Sequence, residues 1–237
     1  LEGQTRLNGN PALMHSLMVA LKTAQMGLGP NAISAALLHD VIEDNPDRED
    51  IPEFIEEQLG KDIADMVRAL TLLKNNPAES SETSEIQAAQ QYLLAVVSDL
   101  RILMIKLADK LHNLMTLDAL PKDRQIRYIN EIERIYLPLA EYMGLGQIHQ
   151  EMSDQLLLQK DRDSYQKIVQ FIEAQLPQRE REIDRITEEL TTICEIETIS
   201  SEIDGRVKSI SSIYKKEQKY MKEGKKQGLE NIRDILA

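Results

Sequence analysis

Leu37-Leu38-His39-Asp40-Val41-Ile42-Glu43-Asp44, LLHDVIED, is the stretch from which the rest of the chain can be read. On a helix of 3.6 residues per turn, His39 lies over Glu43, and Asp40 lies over both Glu43 and Asp44, while Leu37, Leu38, Val41 and Ile42 face a core. Three carboxylates gathered this way repel one another, and burying them is unfavourable unless a divalent cation reverses the sign of the interaction. The bland alternative is a solvated acidic helix end, because Asp47, Glu49 and Asp50 follow.

Two further polar residues in apolar surroundings favour the cation. His15 sits among Leu13, Met14, Leu17, Met18 and Val19, and Asp109 sits in LMIKLADKLHNL, Leu103 to Leu114. A buried histidine alone is usually a satisfied core residue. An ionised aspartate in a helix as apolar as this one must be paired or metal-bound, and a salt bridge to a lysine is the competing explanation. Together, His15, His39, Asp40 and Asp109 offer two imidazoles and two carboxylates. This borderline-to-hard set suits Mn, Fe, Co or Zn and leaves positions for water and substrate, as a metallohydrolase requires.

Around these residues the apolar positions recur at three and four from residue 11 to about 190, which predicts an almost all-α region. Asn10 and Pro11 read as an N-cap and first helical position, Gly27 as the stop of the helix carrying His15, and a second helix runs from Gly29–Asn31 through Ile42. Further helices are predicted at 52–59, 61–73, 84–97, 99–117, 123–142, 147–158 and 162–190, with a loop over Asn75 to Ser84. Alternating parity around Ile193–Thr198 predicts a short strand, and a Lys-rich helix follows Gly205 to about Lys222. A domain boundary is expected near residue 195, giving 1–195 and 196–237.

The 237 residues carry a net charge of -12, which disfavours nucleic-acid binding, and contain one cysteine, Cys194, in keeping with a reducing cytoplasm. No apolar stretch approaches the ~18 residues needed to span a bilayer, so no membrane partner is expected. The acidic excess is uneven, because residues 206–226 hold eight Lys and Arg against two Glu. A chain that starts at Leu1 and stops in the apolar segment Ile232 to Ala237 reads as a piece of something longer.

His15, the His39-Asp40 pair and the distant Asp109 resemble the signature of the HD-domain metal-dependent phosphohydrolases. Within that superfamily, LLHDVIED followed by IKLADKLHN, Ile105 to Asn113, is similar to the hydrolase domain of the long RelA/SpoT-homologue enzymes that make and degrade ppGpp and pppGpp. TRLNGNPALMH, Thr5 to His15, resembles that family's Arg-x-Ser-Gly-x-Pro-x-x-x-His segment, and Ala69 to Leu72 its Val-Thr-Lys-Leu. Ile135 to Asp154 resembles its Ile-Tyr-x-Pro-Leu-Ala-x-x-Leu-Gly segment and the Glu-Leu-Glu-Asp after it. IDGRVKSISSIYKK, Ile203 to Lys216, is similar to the entry of the family's synthetase domain.

The resemblance implies an HD helical bundle followed by the strand and helix that begin an α/β synthetase domain. It implies Mn(II) on His15, His39, Asp40 and Asp109, with Glu43 and Asp44 handling the attacking water and Arg6, Asn113 and Thr116 lining the guanosine pocket. Arg6 stands in the pattern, but Asn8, Ala12, Ser16 and Met115 replace the usual Ser, Tyr, Pro and Arg. The implied reaction is hydrolysis of the 3′-pyrophosphate of ppGpp or pppGpp to GDP or GTP and pyrophosphate. Arg206, Lys208, Ser212 and Lys216 match ATP-contacting residues of the synthetase, but its remaining groups lie on later strands, so this stretch is expected not to synthesise the alarmone. Synthetase and regulatory domains are expected beyond it. An HD enzyme for another nucleotide and a non-catalytic nucleotide sensor are the alternative readings.

Overall fold

The computed structural model describes residues 5–7, 9–74, 99–203, 205–224 and 228–232; the expected loop over Asn75 to Ser84 and helix over 84–97 lie outside them. The chain divides into two compact units, Leu1–Ile148 and His149–Ala237.

In the first unit, α1 (Ala12–Gln25) buries His15, Ser16, Val19, Ala20 and Thr23, and turns Leu13, Met14, Leu17, Met18 and Leu21 outward. The helix stops as predicted at Gly27. The glycine takes φ +79°, so that its N–H reaches Ala24 O at 2.9 Å and the Leu28 N–H reaches Thr23 O at 3.3 Å, closing the terminal carbonyls. At the start of α1, Pro11 rather than Asn10 takes the cap position.

Helix α2 (Pro30–Leu38) ends four residues before the predicted Ile42, and His39 to Asp44 form consecutive turns. The reason lies in the same octet. Carboxylates at a helix C-terminus oppose its dipole, Val41 and Ile42 are weak helix formers, and Pro46 bars continuation. One α-type bond survives, from the Asp44 N–H to Asp40 O at 2.8 Å. Leu37, Leu38, Val41 and Ile42 are half-buried rather than core.

Helices α3 (Ile51–Leu59) and α4 (Lys61–Lys74) pack together, α4 also meets α2, and α5 (Leu100–Met115) lies against α1, α2 and α4. Helix α5 is the core element, with Ile102, Leu103, Ile105, Leu107, Leu111 and Leu114 all buried. The helix predicted over 123–142 is three segments: α6 (Lys122–Glu131), a π-helical turn Ile132–Tyr136, and α7 (Leu137–Tyr142). Pro138 explains the wide turn, since its ring has no N–H and crowds the carbonyl four residues back, while the Leu137 N–H reaches to Ile132 O.

Helix α8 (Gly146–Lys160) carries the division between the units. In the second unit, α9 spans Arg162–Ile196 and α10 spans Ile210–Lys222. The short strand predicted over Ile193–Thr198 is therefore overturned, for α9 runs through it to Ile196. Thr191 and Thr192 donate their hydroxyls to Thr187 O and Glu188 O at 2.8 and 2.9 Å, a bond that β-branched hydroxyl residues make inside a helix. No sheet forms among the described residues. Ile168 of α9, Ile213 of α10 and Ile232 form a core flanked by Phe171, Ile172 and Tyr214, which joins the long helix to the segment that follows it. The second compact unit runs from His149 to Ala237.

Candidate metal centre

Three elements deliver the predicted ligands. His15 comes from the buried face of α1, His39 and Asp40 from the C-terminal end of α2, and Asp109 from the middle of α5. His15, His39 and Asp109 are each buried, and their donor atoms lie within 4.8 Å of one another. The His15 and His39 Nε2 atoms are 3.2 Å apart, and Asp109 Oδ1 lies 3.3 and 3.8 Å from them. Asp40 closes the group, with its two oxygens 3.2 Å from His39 Nε2 and 3.7 Å from His15 Nε2.

Two imidazole nitrogens aimed at each other beside two carboxylates need a positive charge between them. For the protein alone that charge is a proton: burial opposes it, but hydrogen bonds to Asp109 and Asp40 and their charge outweigh burial and lift His39 to about 9. His15 shifts the other way: burial lowers it, because desolvation there exceeds the pull of Asp109. His39 Nδ1 lies 2.8 Å from Ala36 O, a carbonyl that can only accept, so Nε2 is the nitrogen left for a ligand. The donors and their charge fit a divalent cation, for which the proton is a monovalent stand-in.

The competing explanation for Asp109 is present as well. Lys106, one turn earlier on α5, donates to Asp109 Oδ2 at 2.9 Å with both side chains buried. Burial opposes ionisation of Asp109, yet Lys106 and the two histidines hold it well below the usual carboxylate range. The carboxylate is thus divided, one oxygen on the lysine and the other toward the imidazoles.

Asp109 Oδ1 also accepts from Asn113 Nδ2 at 2.6 Å, and Asn113 Oδ1 accepts from Arg6 Nη2 at 2.6 Å. Arg6 reaches this position because the chain before α1 folds back on itself, with the Arg6 N–H on Asn10 O at 2.9 Å and an isolated bridge between Thr5 and Pro11. Its Nη1 is sealed from solvent and has no hydrogen-bond partner among the described residues, an arrangement that costs stability unless a ligand accepts from it. Arg6, Asn113 and Thr116 all face one cleft of about 750 Å³, with His15 and Asp40 in its wall.

Of the predicted acid–base pair, Asp44 lines this cleft, whereas Glu43 is exposed and does not. Two residues that the sequence reading left out belong to the site. Tyr128 lines the cleft and donates its hydroxyl to Lys110 O at 3.0 Å. His112 places Nδ1 2.8 Å from His15 Nδ1. Its sequence signal was available, since His112 lies three residues after Asp109 and shares its helix face.

In the second unit, Arg206 is exposed, and Lys208, Ser212 and Lys216 are half-buried. The Ser212 hydroxyl lies 2.8 Å from that of Ser209, the residue capping α10, and the Lys216 ammonium stands 5.6 Å from the Tyr220 ring centre. No helix among the described residues is long and apolar enough to cross a membrane.

Residues 1–146 match the family described as HD domain. The chain is 33% identical over 236 residues to guanosine-3′,5′-bis(diphosphate) 3′-pyrophosphohydrolase of Haemophilus influenzae, covering 100% of this chain and 34% of that protein. It is 33% identical over 236 residues to bifunctional (p)ppGpp synthase/hydrolase SpoT of Escherichia coli, covering 100% and 32%. To GTP pyrophosphokinase of Streptomyces coelicolor it is 31% identical over 216 residues, covering 90% and 25%. The chain spans about a third or less of the length of these curated relatives.

Proposed function

The chain belongs to the HD-domain family, and from that membership we propose that it removes the 3′-pyrophosphate of ppGpp or pppGpp, releasing pyrophosphate and GDP or GTP. The observation that carries the reading is the convergence of two Nε2 atoms and the Asp109 carboxylate, with Asp40 beside them, in the wall of a cleft that also holds an arginine with an unsatisfied buried N–H.

His15, His39, Asp40 and Asp109 would hold the cation, which we take to be Mn(II). When bound, it supplies Lewis acidity, drawing charge from the phosphoryl oxygens and easing loss of a proton from the attacking water. The remaining steps belong to side chains. Asp44, on the cleft wall, takes a proton from the water with Glu43 beside it. The water oxygen adds to the phosphorus bonded to O3′, the P–O3′ bond breaks, and O3′ leaves as a hydroxyl by taking the proton that Asp44 received from the water. Arg6 turns its free Nη1 to the nucleotide, with Asn113 fixing the guanidinium plane and Thr116 beside it. Arg206, Lys208, Ser212 and Lys216 take no part in this reaction. The reading places the reaction in the cytoplasm.

The test is pyrophosphate release from ppGpp by purified protein. Activity should vanish with a chelator and return with Mn(II). Full turnover by protein shown to be metal-free by elemental analysis would overturn the reading, and so would hydrolysis of other nucleotides in preference to ppGpp.

A further inference from the structure

His39 and His15 present the same nitrogen to the metal centre, Nε2, and for that each must carry its other proton on Nδ1. For His39 the reason is local, because Ala36 O at 2.8 Å accepts from Nδ1 and nothing else. Among the described residues, His15 has no such carbonyl in hydrogen-bond range of its Nδ1. What stands there is a second imidazole, His112 Nδ1 at 2.8 Å, with the two ring centres 4.8 Å apart and the planes inclined by 57°.

We propose that His112 is a positioning residue for the metal centre: its Nδ1 accepts the Nδ1–H of His15, which fixes the tautomer and ring plane of His15 with the Nε2 lone pair toward Asp109 and Asp40. This rests on the metal-hydrolase reading above. Helix geometry makes the arrangement economical, since Lys106, Asp109, His112 and Asn113 lie on adjoining turns of α5. One helix thus supplies a ligand, holds that ligand's two oxygens through Lys106 and Asn113, and orients a second ligand on α1. Without an acceptor at His112, the His15 proton is free to move to Nε2, and a ring so protonated cannot bind a cation through that atom.

The experiment compares the wild-type protein with His112→Leu, which removes the acceptor, and His112→Asn, whose Oδ1 can stand near the lost Nδ1. Titration calorimetry with Mn(II) should show affinity falling 10- to 100-fold in H112L and staying within about threefold of wild type in H112N. Imidazole ¹⁵N spectra of the metal-free proteins should place the His15 proton on Nδ1 in wild type and H112N and move it in part to Nε2 in H112L. If wild type binds Mn(II) and H112L binds it equally well with an unchanged His15 tautomer, the positioning role is wrong and the metal reading stands. If wild type itself binds no divalent metal, the metal reading fails and takes the assignment with it. Equal losses in H112L and H112N, both folded by circular dichroism, would also overturn the role, since shape rather than the acceptor would then be what matters.

Discussion

Replacing Lys106 with Met keeps the aliphatic stem and deletes one charge from a pair in which both side chains are 4% exposed. At 2.9 Å and an effective dielectric constant of about 20, the attraction between Lys106 and Asp109 is about 6 kcal/mol before desolvation is counted. What a variant loses is better judged from the stranded partner, since removing one member of a buried pair typically costs about 3–5 kcal/mol. That is a large part of the roughly 5–15 kcal/mol by which a domain is stable. Urea unfolding in the presence of chelator should therefore place Lys106→Met about 3–5 kcal/mol below wild type. Lys106→Met with Asp109→Leu should be more stable than additivity predicts, with a coupling of at least about 2 kcal/mol. A cation saturating at about 100 times its dissociation constant should restore about 2.7 kcal/mol to the single variant. Asp109 would have to be balanced by other groups, and the divided-carboxylate picture abandoned, if Lys106→Met fell within about 1 kcal/mol of wild type in chelator and the double variant were additive.

Asp44→Asn should lower kcat about 100-fold or more with metal content unchanged, and Glu43→Gln, off the cleft wall, should lower it less; loss of metal from either variant would make that residue a ligand instead. Thr198, the residue after the C-cap of α9, sits at φ +58°, where a β-branched side chain is strained. Thr198→Gly should stabilise the second unit by about 1 kcal/mol and raise its calorimetric Tm by several degrees; no rise would mean that the turn is unstrained. Asp62 accepts a two-pronged bond from Arg101 at 2.7 and 2.9 Å and another from Asn31 at 2.7 Å, and these hold its carboxyl down at about 2. A lowered carboxyl contributes stability that is complete above its unfolded value of about 4 and is lost as the pH falls toward 2. The gap in urea midpoint between wild type and Asp62→Asn should accordingly be constant from pH 7 to 5 and shrink below about 4, whereas a gap independent of pH would exclude the ionised bond as its source.

Periodicity carried most of the helical fold, because α1, α3, α5 and α8 bury one face each and end at glycine or polar residues that can be read locally. It failed where two local tendencies competed. The octet at the end of α2 has helical spacing but places its carboxylates at the wrong end of the dipole, so the chain turns at His39 and leaves Glu43 in solvent. Ile193 to Thr198 has strand-like parity, but with no neighbouring strand to pair with among the described residues its backbone bonds as far as Ile196 are made along its own helix. The candidate ligands were legible because an ionisable residue in an apolar helix demands a reason. His112 was overlooked although it stands three residues after Asp109 on the same helix face, because a histidine near a helix end asks for no reason until His15 is known to stand against it. Arg6 could be placed in the pocket only through resemblance, since no spacing within the sequence reveals that a loop before α1 meets the end of α5.

An unbroken run of bonds goes from Arg6 through Asn113 to Asp109 and on to Lys106, so a nucleotide and a cation bound as proposed would not act on separate parts of the protein. Whatever draws the guanidinium of Arg6 changes the hold of Asn113 on the very oxygen that faces the imidazoles, and a cation pulling on that oxygen is felt in return at Arg6. Binding free energies joined in this way are reciprocal: the factor by which one ligand tightens or loosens the other is the same in both directions. Under the proposed function the two concentrations would act together, the metal supply shifting how much alarmone the protein holds and the alarmone shifting how firmly it keeps its metal.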